Sequence, residues 1–273
     1  MKTYVLELDG KLAGTLSAVR ASSLTISSKE NGVLGKAASP GEIVIALGTG
    51  MSAAFYKWLG SFGGVRKNGA IIIIDGGKST RIEFSFALIS QIVFPELGTS
   101  NSSAGSIQVT LRPEVIKFSS GAEKIDLGVY AGTASSWVVK NFKFRLDGFN
   151  TNRVYSVSSL TWGQKIIEES QGNARVNLLR TGSATISSLT FSLPLDGADP
   201  LRDWFNDFAV KGNMRAGTKS AEITYLSSNL KSEYFAVQLK EVGPYSLKMD
   251  RASVTIAIYI EDLSFTAGAA AIK

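Results

Sequence analysis

The sequence predicts a mainly β protein with one short helix in each half, an α+β arrangement of two similar barrel- or sandwich-like β-domains. Three observations predict it. Apolar residues alternate with other residues through much of the chain, as at Tyr4, Leu6 and Leu8 or at Val254, Ile256, Ile258 and Ile260, which is the period of a half-buried strand. Two segments instead carry the helical spacing i, i+3, i+4, i+7: Phe55, Trp58, Leu59 and Phe62, then Leu201, Trp204, Phe205 and Phe208. Each follows an alternating strand, Ile43, Ile45 and Leu47 before the first and Leu189, Phe191 and Leu193 before the second. That shared order, tryptophan included, predicts an internal duplication.

The expected division is a first domain over 1–120, a connector over 121–140, a second domain over 141–268 and a short tail over 269–273. In the first half, Tyr4, Leu6 and Leu8 run into the Asp9–Gly10 turn of a hairpin. A second strand is expected over roughly 14–26, through Ser22–Ser23–Leu24–Thr25. The stretch 27–41, rich in turn formers, reads as a flexible loop or extended arm. Ser52 is placed to cap the helix, and Gly60, Gly63 and Gly64 to end it. Ala70 to Ile74 is short and continuously aliphatic, which suits a strand buried on both faces, and Phe84, Phe86 and Leu88 alternate after the next turn. Ile107, Val109 and Leu111 close the half.

The plan then restarts. Phe142, Phe144, Leu146, Asp147 and Gly148 match Tyr4, Leu6, Leu8, Asp9 and Gly10, and Ser158–Ser159–Leu160–Thr161 repeats the earlier four residues. Trp137, Val138 and Val139 are expected to extend this first strand. The stretch 164–188 reads as a loop longer than its counterpart. In the second helix Asp199 is the expected cap and Pro200 the first helical residue, where a missing N–H costs nothing. Ile223, Phe235, Val237 and Leu239 make the central strands. Identity between the halves is low outside these anchors.

Composition limits the chemistry. The chain of 273 residues is 44% hydrophobic, enough for a core in each half. Its charged fraction of 19% is low against roughly a quarter in typical domains. Low charge with abundant Ser, Thr and Gly suits β surfaces that meet other protein, and an ordinary β-domain with a mild surface equally. The net charge of +6 is dispersed, with no basic run longer than Arg66–Lys67, which does not describe a sequence-specific DNA reader. There is no cysteine and no histidine, which removes disulfides, thiolate nucleophiles, Cys/His zinc sites and His-based triads. The opening MKTYVLELDG lacks an apolar core with a small-residue cleavage site, so no signal peptide is expected. The longest aliphatic run falls far short of the ~20 residues of a membrane helix. A soluble, cytoplasmically made protein with no membrane partner is expected.

Few residues could carry catalysis. Gly48–Thr49–Gly50 lies between a strand and a helix, where a phosphate-cradling turn could sit. No third glycine completes the fingerprint, and the second half has Asp196–Gly197–Ala198–Asp199 there, which would repel phosphate. Glu168–Glu169, Asp9 and Asp147 are carboxylates without a partner at readable spacing. Trp58 and Trp204 could stack on sugars or bases, but at the centre of apolar helix stripes they read as core anchors. No catalytic, cofactor or metal residue is assigned, and no enzymatic activity is expected.

The motifs resemble those of the tail-tube family, which builds the inner tubes of contractile phage tails and related injection systems, Hcp-like secretion proteins included. The matching residues are Leu8–Asp9–Gly10, Ser23–Leu24, Pro40–Gly41, Ile45, Leu47–Gly48, Phe55 and Trp58. In the second half they are Leu146–Asp147–Gly148, Ser159–Leu160, Leu193, Leu201 and Trp204, without the Pro-Gly. The resemblance implies subunits that close their strands into one barrel, rings that stack into a tube, and arms over 27–41 and 164–188 that reach neighbouring subunits. Three chains could form a pseudo-hexamer, or six a hexamer. Sheath, tape-measure and baseplate proteins would be partners, with DNA or effectors passing through the lumen without sequence-specific binding. The virion tail, assembled in the host cytoplasm, would be its location. Two alternatives remain at this point: a tube-end or baseplate component, and a monomeric β-sandwich binding carbohydrate or another virion protein, with its tryptophans exposed in a groove. An enzyme would need two facing carboxylates.

Overall fold

Alternation becomes strands in the expected order. The first half contains β1 (Thr3–Leu8), β2 (Lys11–Leu16), β3 (Ala18–Arg20), β4 (Leu24–Ile26), β5 (Ala38–Pro40), β6 (Ile43–Leu47), α1 (Ala53–Gly60), β7 (Lys67–Asp75), β8 (Lys78–Phe94), β9 (Leu97–Gly98), β10 (Ala104–Gly105), β11 (Ile107–Arg112) and β12 (Val115–Gly121). After β13 (Trp137–Val138) come β14 (Phe142–Leu146), β15 (Ser156–Val157), β16 (Leu160–Glu169), β17 (Leu178–Ile186), β18 (Leu189–Pro194), α2 (Asp199–Phe205), α3 (Met214–Gly217), β19 (Lys219–Leu226), β20 (Glu233–Met249), β21 (Ser253–Tyr259) and β22 (Asp262–Ala267). This computed structural model describes residues 2–20, 24–26, 38–76, 78–121, 126–130, 134–169 and 177–273. The protein is mostly strand, as expected.

Each half is organised on one strand of 17 residues, β8 or β20. The first part of β8 lies between β7 and β12, and its last part between β11 and β16. The first part of β20 lies between β19 and β22, and its last part pairs with β21. One strand thus serves two sheets and turns the corner between them. The corner has a backbone cause in both halves. Phe86 and Glu241 sit in the left-handed region, at φ 54° and 50°, a conformation costly for a side chain with a Cβ. Asn68 holds the first, its side-chain oxygen accepting from the Phe86 N–H at 2.8 Å.

The helices follow their sequence signals in part. Ser52 caps α1, its hydroxyl accepting from Phe55 N–H at 3.3 Å, and Phe55, Tyr56, Trp58 and Leu59 are buried. In α2 the cap is Ala198, without a side-chain bond, rather than Asp199. Asp199 is one residue too far along and pairs instead with Arg202 at 2.9 Å. A π-helical turn over Asn206–Val210 then carries Phe208 into the core. Asp9 and Gly10 are both left-handed (φ 48° and 79°), as a two-residue hairpin loop requires. In the second pair only Gly148 is left-handed, and no strand pairs with β14 on that side among the described residues.

Three further expectations need correction. The strand expected over 14–26 is broken, into β2, β3 and β4, and β2 and β3 pair with different strands. Trp137–Val138 does not extend β14; it pairs with Ala104–Gly105, where the indole lies against a glycine that has no Cβ to clash with it. The described part of 164–188 is a hairpin of β16 and β17 rather than a loop. Of the 27–41 arm, residues 27–37 lie outside the described residues, and β5 pairs with β4.

Candidate assembly junction

The two halves meet strand to strand. Leu160, Thr161, Trp162 and Gly163 of β16 pair with Phe94, Val93, Ile92 and Gln91 of β8. The β16–β17 hairpin therefore completes a sheet of the first half, while β9 of the first half pairs with β15 of the second. Backbone hydrogen bonding across the halves satisfies edges that would otherwise stand open.

Side chains seal this junction. Glu114 is 8% exposed; its carboxylate accepts from Leu179 N–H at 3.0 Å and from the Arg66 guanidinium at 3.2 Å. Arg66 also donates to the Leu179 carbonyl. The Gln164 amide donates to the Ile89 carbonyl at 2.5 Å. Phe62 stacks on Trp162 with ring centroids 4.2 Å apart. Phe94, with no exposed surface, places its ring 6.4 Å from Tyr225 and 5.8 Å from Phe265. From α1, Tyr56 reaches Phe235 at 5.5 Å. Burial pushes the Tyr56 and Tyr225 phenols up, so both stay neutral in the ordinary pH range. Sequence patterning missed this junction because Lys165, Glu168, Glu169 and Arg180 interrupt the alternation along the hairpin.

The tryptophans occupy matching places. Trp58 is 2% exposed and donates its indole N–H to the Val65 carbonyl at 2.9 Å. Trp204 is 6% exposed and donates to the Gly217 carbonyl at 2.7 Å. Each acceptor lies two residues before a strand, β7 or β19, so each indole fixes the chain as it leaves the helical segment. Neither is available to stack on a ligand in a groove.

The other sequence candidates are in structural use. Thr49 N–H donates to Ser135 carbonyl at 3.0 Å and Gly50 N–H to Ala271 carbonyl at 2.7 Å. A Cβ on Gly48 would overlap the Ser135 carbonyl oxygen. The turn is thus a fastening point for the connector and the C-terminal tail, with the Thr49 and Gly50 N–H groups already engaged. Glu168 pairs with Arg112 at 2.5 Å, Glu169 with Arg180 at 2.8 Å and Asp9 with Lys67 at 2.5 Å. Asp147 lines an open depression with Arg145, Glu222 and Lys240, and its backbone N–H donates to the Ser220 carbonyl. Among the described residues no three His, Cys, Asp or Glu gather as a metal site, and no helix is long and apolar enough to cross a membrane.

No protein-family model matches the chain, and no curated protein sequence matches it. Solved structures match about half of the chain at low identity. The anti-feeding prophage tube-terminating cap is 15% identical at a TM-score of 0.43, over 54% of this chain and 97% of that one. A chain of the PVC extracellular contractile injection system sheath–tube complex, in its extended state, is 16% identical at 0.39, over 48% and 91%. The Hcp1 protein of the E. coli EAEC 042 pathovar is 17% identical at 0.28, over 48% and 92%.

Proposed function

We propose that this chain is a structural, non-enzymatic protein, a duplicated tail-tube-like domain that self-assembles into rings stacking into the inner tail tube of a phage or contractile injection system. The observation that carries the reading is the junction of β8 with β16: two halves on one plan, each turning its corner at a left-handed residue of a 17-residue strand, join edge to edge. A module that completes its neighbour's sheet can repeat the operation, and a repeated head-to-tail contact either closes into a ring or runs on as a filament. The modules are 1–120 and 141–268, with 121–140 connecting them and 269–273 strapped back onto the first.

Three chains would supply six modules, a pseudo-sixfold ring. Sheath, tape-measure and baseplate proteins are its partners in this reading, and DNA or effectors cross the lumen without being read. The tail of a virion or injection particle is its place, reached by assembly in the host cytoplasm. Negative-stain microscopy of the purified chain tests this: rings or stacked tubes are expected, and a monomer at high protein concentration in every salt tried overturns it.

A further inference from the structure

The second half has a gap where the first half has β16. Register fixes the correspondence. Phe86 and Glu241 mark the same corner in β8 and β20; Leu88 pairs with Arg112 as Gly243 pairs with Tyr259; Gln91 pairs with Thr110 as Ser246 pairs with Ala257. Ile92 and Phe94 therefore correspond to Leu247 and Met249. In the first half these positions are covered by β16, and both residues are fully buried. In the second half, among the described residues, β21 pairs with that stretch of β20 and no strand takes its other edge. Met249 is 47% exposed and Tyr245 53%.

A second gap lies at the opposite end of the chain. Phe118 pairs with Ile82 on β12 as Phe265 pairs with Val237 on β22. Phe265 is 4% exposed, beneath Phe94 and Tyr56 of the first half. Phe118 is 53% exposed. The two bare patches are the two missing sides of one junction: Met249 stands where Phe94 stands, and Phe118 where Phe94's partner Phe265 stands. The strand that would fill the edge also exists. Leu24–Ile26 carries the motif of Leu160 onward, is paired by β5 on one side as β16 is by β17, and has no partner strand on its other side among the described residues.

We infer that the second half of one chain docks on the first half of a second copy by repeating the internal junction, with Leu24–Ile26 of the copy added antiparallel to the edge at Leu247–Met249 and Met249 packed on the copy's Phe118. The inference rests on the ring reading and names its contact. The shared register sets Leu24 opposite Met249, as Leu160 lies opposite Phe94. Opposed residues of an antiparallel pair have Cα atoms about 4.5–5.5 Å apart, within disulfide reach. One chemistry thus explains an unpaired strand edge and two exposed apolar side chains that an isolated subunit would present for aggregation.

The chain has no cysteine, so two introduced thiols are the only ones. Leu24→Cys with Met249→Cys should give, on mild oxidation of the assembled protein, chains linked end to end in a ladder on a non-reducing gel. The mismatched pair Leu24→Cys with Thr266→Cys should give none. Separately, Met249→Asp with Phe118→Asp, both at exposed positions, should leave the monomer's unfolding curve unchanged and reduce the assembled fraction at least tenfold. Particles that form without cross-linking in the matched pair, or that survive both aspartates at unchanged size, overturn this contact and leave the ring reading standing. An unmodified chain that stays monomeric overturns both.

Discussion

Replacing Phe94 and Met249 by alanine, one at a time, should have very unequal consequences for the isolated chain. Phe94 is fully buried between β16, Tyr225 and Phe265. Its truncation removes the transfer energy of a whole aromatic side chain and leaves a cavity that paired strands on both sides cannot close. The expected loss is about 3–5 kcal/mol. For a chain of this length that is a fall in Tm of roughly 5–10 °C. Met249 holds the corresponding place on β20 but is 47% exposed, so Met249→Ala should change monomer stability by no more than about 0.5 kcal/mol. Urea unfolding of each variant, in dilute conditions where the chain is monomeric, gives both numbers. Hydrogen exchange at the β16 amides adds a local measure, which should rise in the Phe94 variant alone. Equal losses in the two variants, or a loss under about 1 kcal/mol at Phe94, would refute the claim that the halves are held by this junction.

Other substitutions probe the same account. Glu114→Ala leaves Leu179 N–H without its acceptor in a buried place, costing about 1–3 kcal/mol; Glu114→Gln keeps an acceptor oxygen and should recover much of that by the same unfolding measurement. The Arg66 side chain is 33% exposed, so water compensates part of its lost ion pair. Trp58→Phe and Trp204→Phe should destabilise by similar amounts, each about 1–2 kcal/mol, since each loses one indole hydrogen bond to the chain before a strand. A loss confined to one of them contradicts their matched placement. Gly48→Ala should cost about 1–3 kcal/mol, because its Cβ can be housed only by moving the Ser135 backbone; protease nicking of the connector is the sensitive readout. Asp250 accepts from Ala252 and Ser253 N–H and from the Ser253 hydroxyl, which hold its carboxyl below the ordinary carboxylate range. With the folded value lowered, its contribution is present above the unfolded value and is lost as pH falls through the folded one. An NMR titration should therefore find Asp250 below about 3.9, the unperturbed value.

Much of the local structure was legible and most of the assembly was not. The strands at Tyr4–Leu8 and Val254–Ile260, the aromatic stripes of the two helices and the Ser52 cap all declare themselves over a few residues. Side-chain period and capping chemistry are local. The β8–β16 pairing joins residues near 92 to residues near 162, and no short window records such a contact. The hairpin at 164–188 also hid its strands, because the adjacent pairs Ile166–Ile167, Glu168–Glu169 and Leu178–Leu179 break the two-residue period of a strand. The Gly48–Gly50 turn was legible as a turn, but its use as a fastening point for Ser135 and Ala271 depends on segments distant in sequence. Phe86 and Glu241 were beyond sequence reasoning for a plainer reason. Both take a backbone conformation their residue types disfavour, and only the surrounding sheets hold them there.

The central claim, a duplicated module that closes on copies of itself, is tested most directly by native mass measurement of the purified, unmodified chain across a concentration series. A discrete closed particle with a whole-number multiple of three chains is expected, converting at high concentration to stacks of that particle. A single-chain mass at every concentration would contradict it.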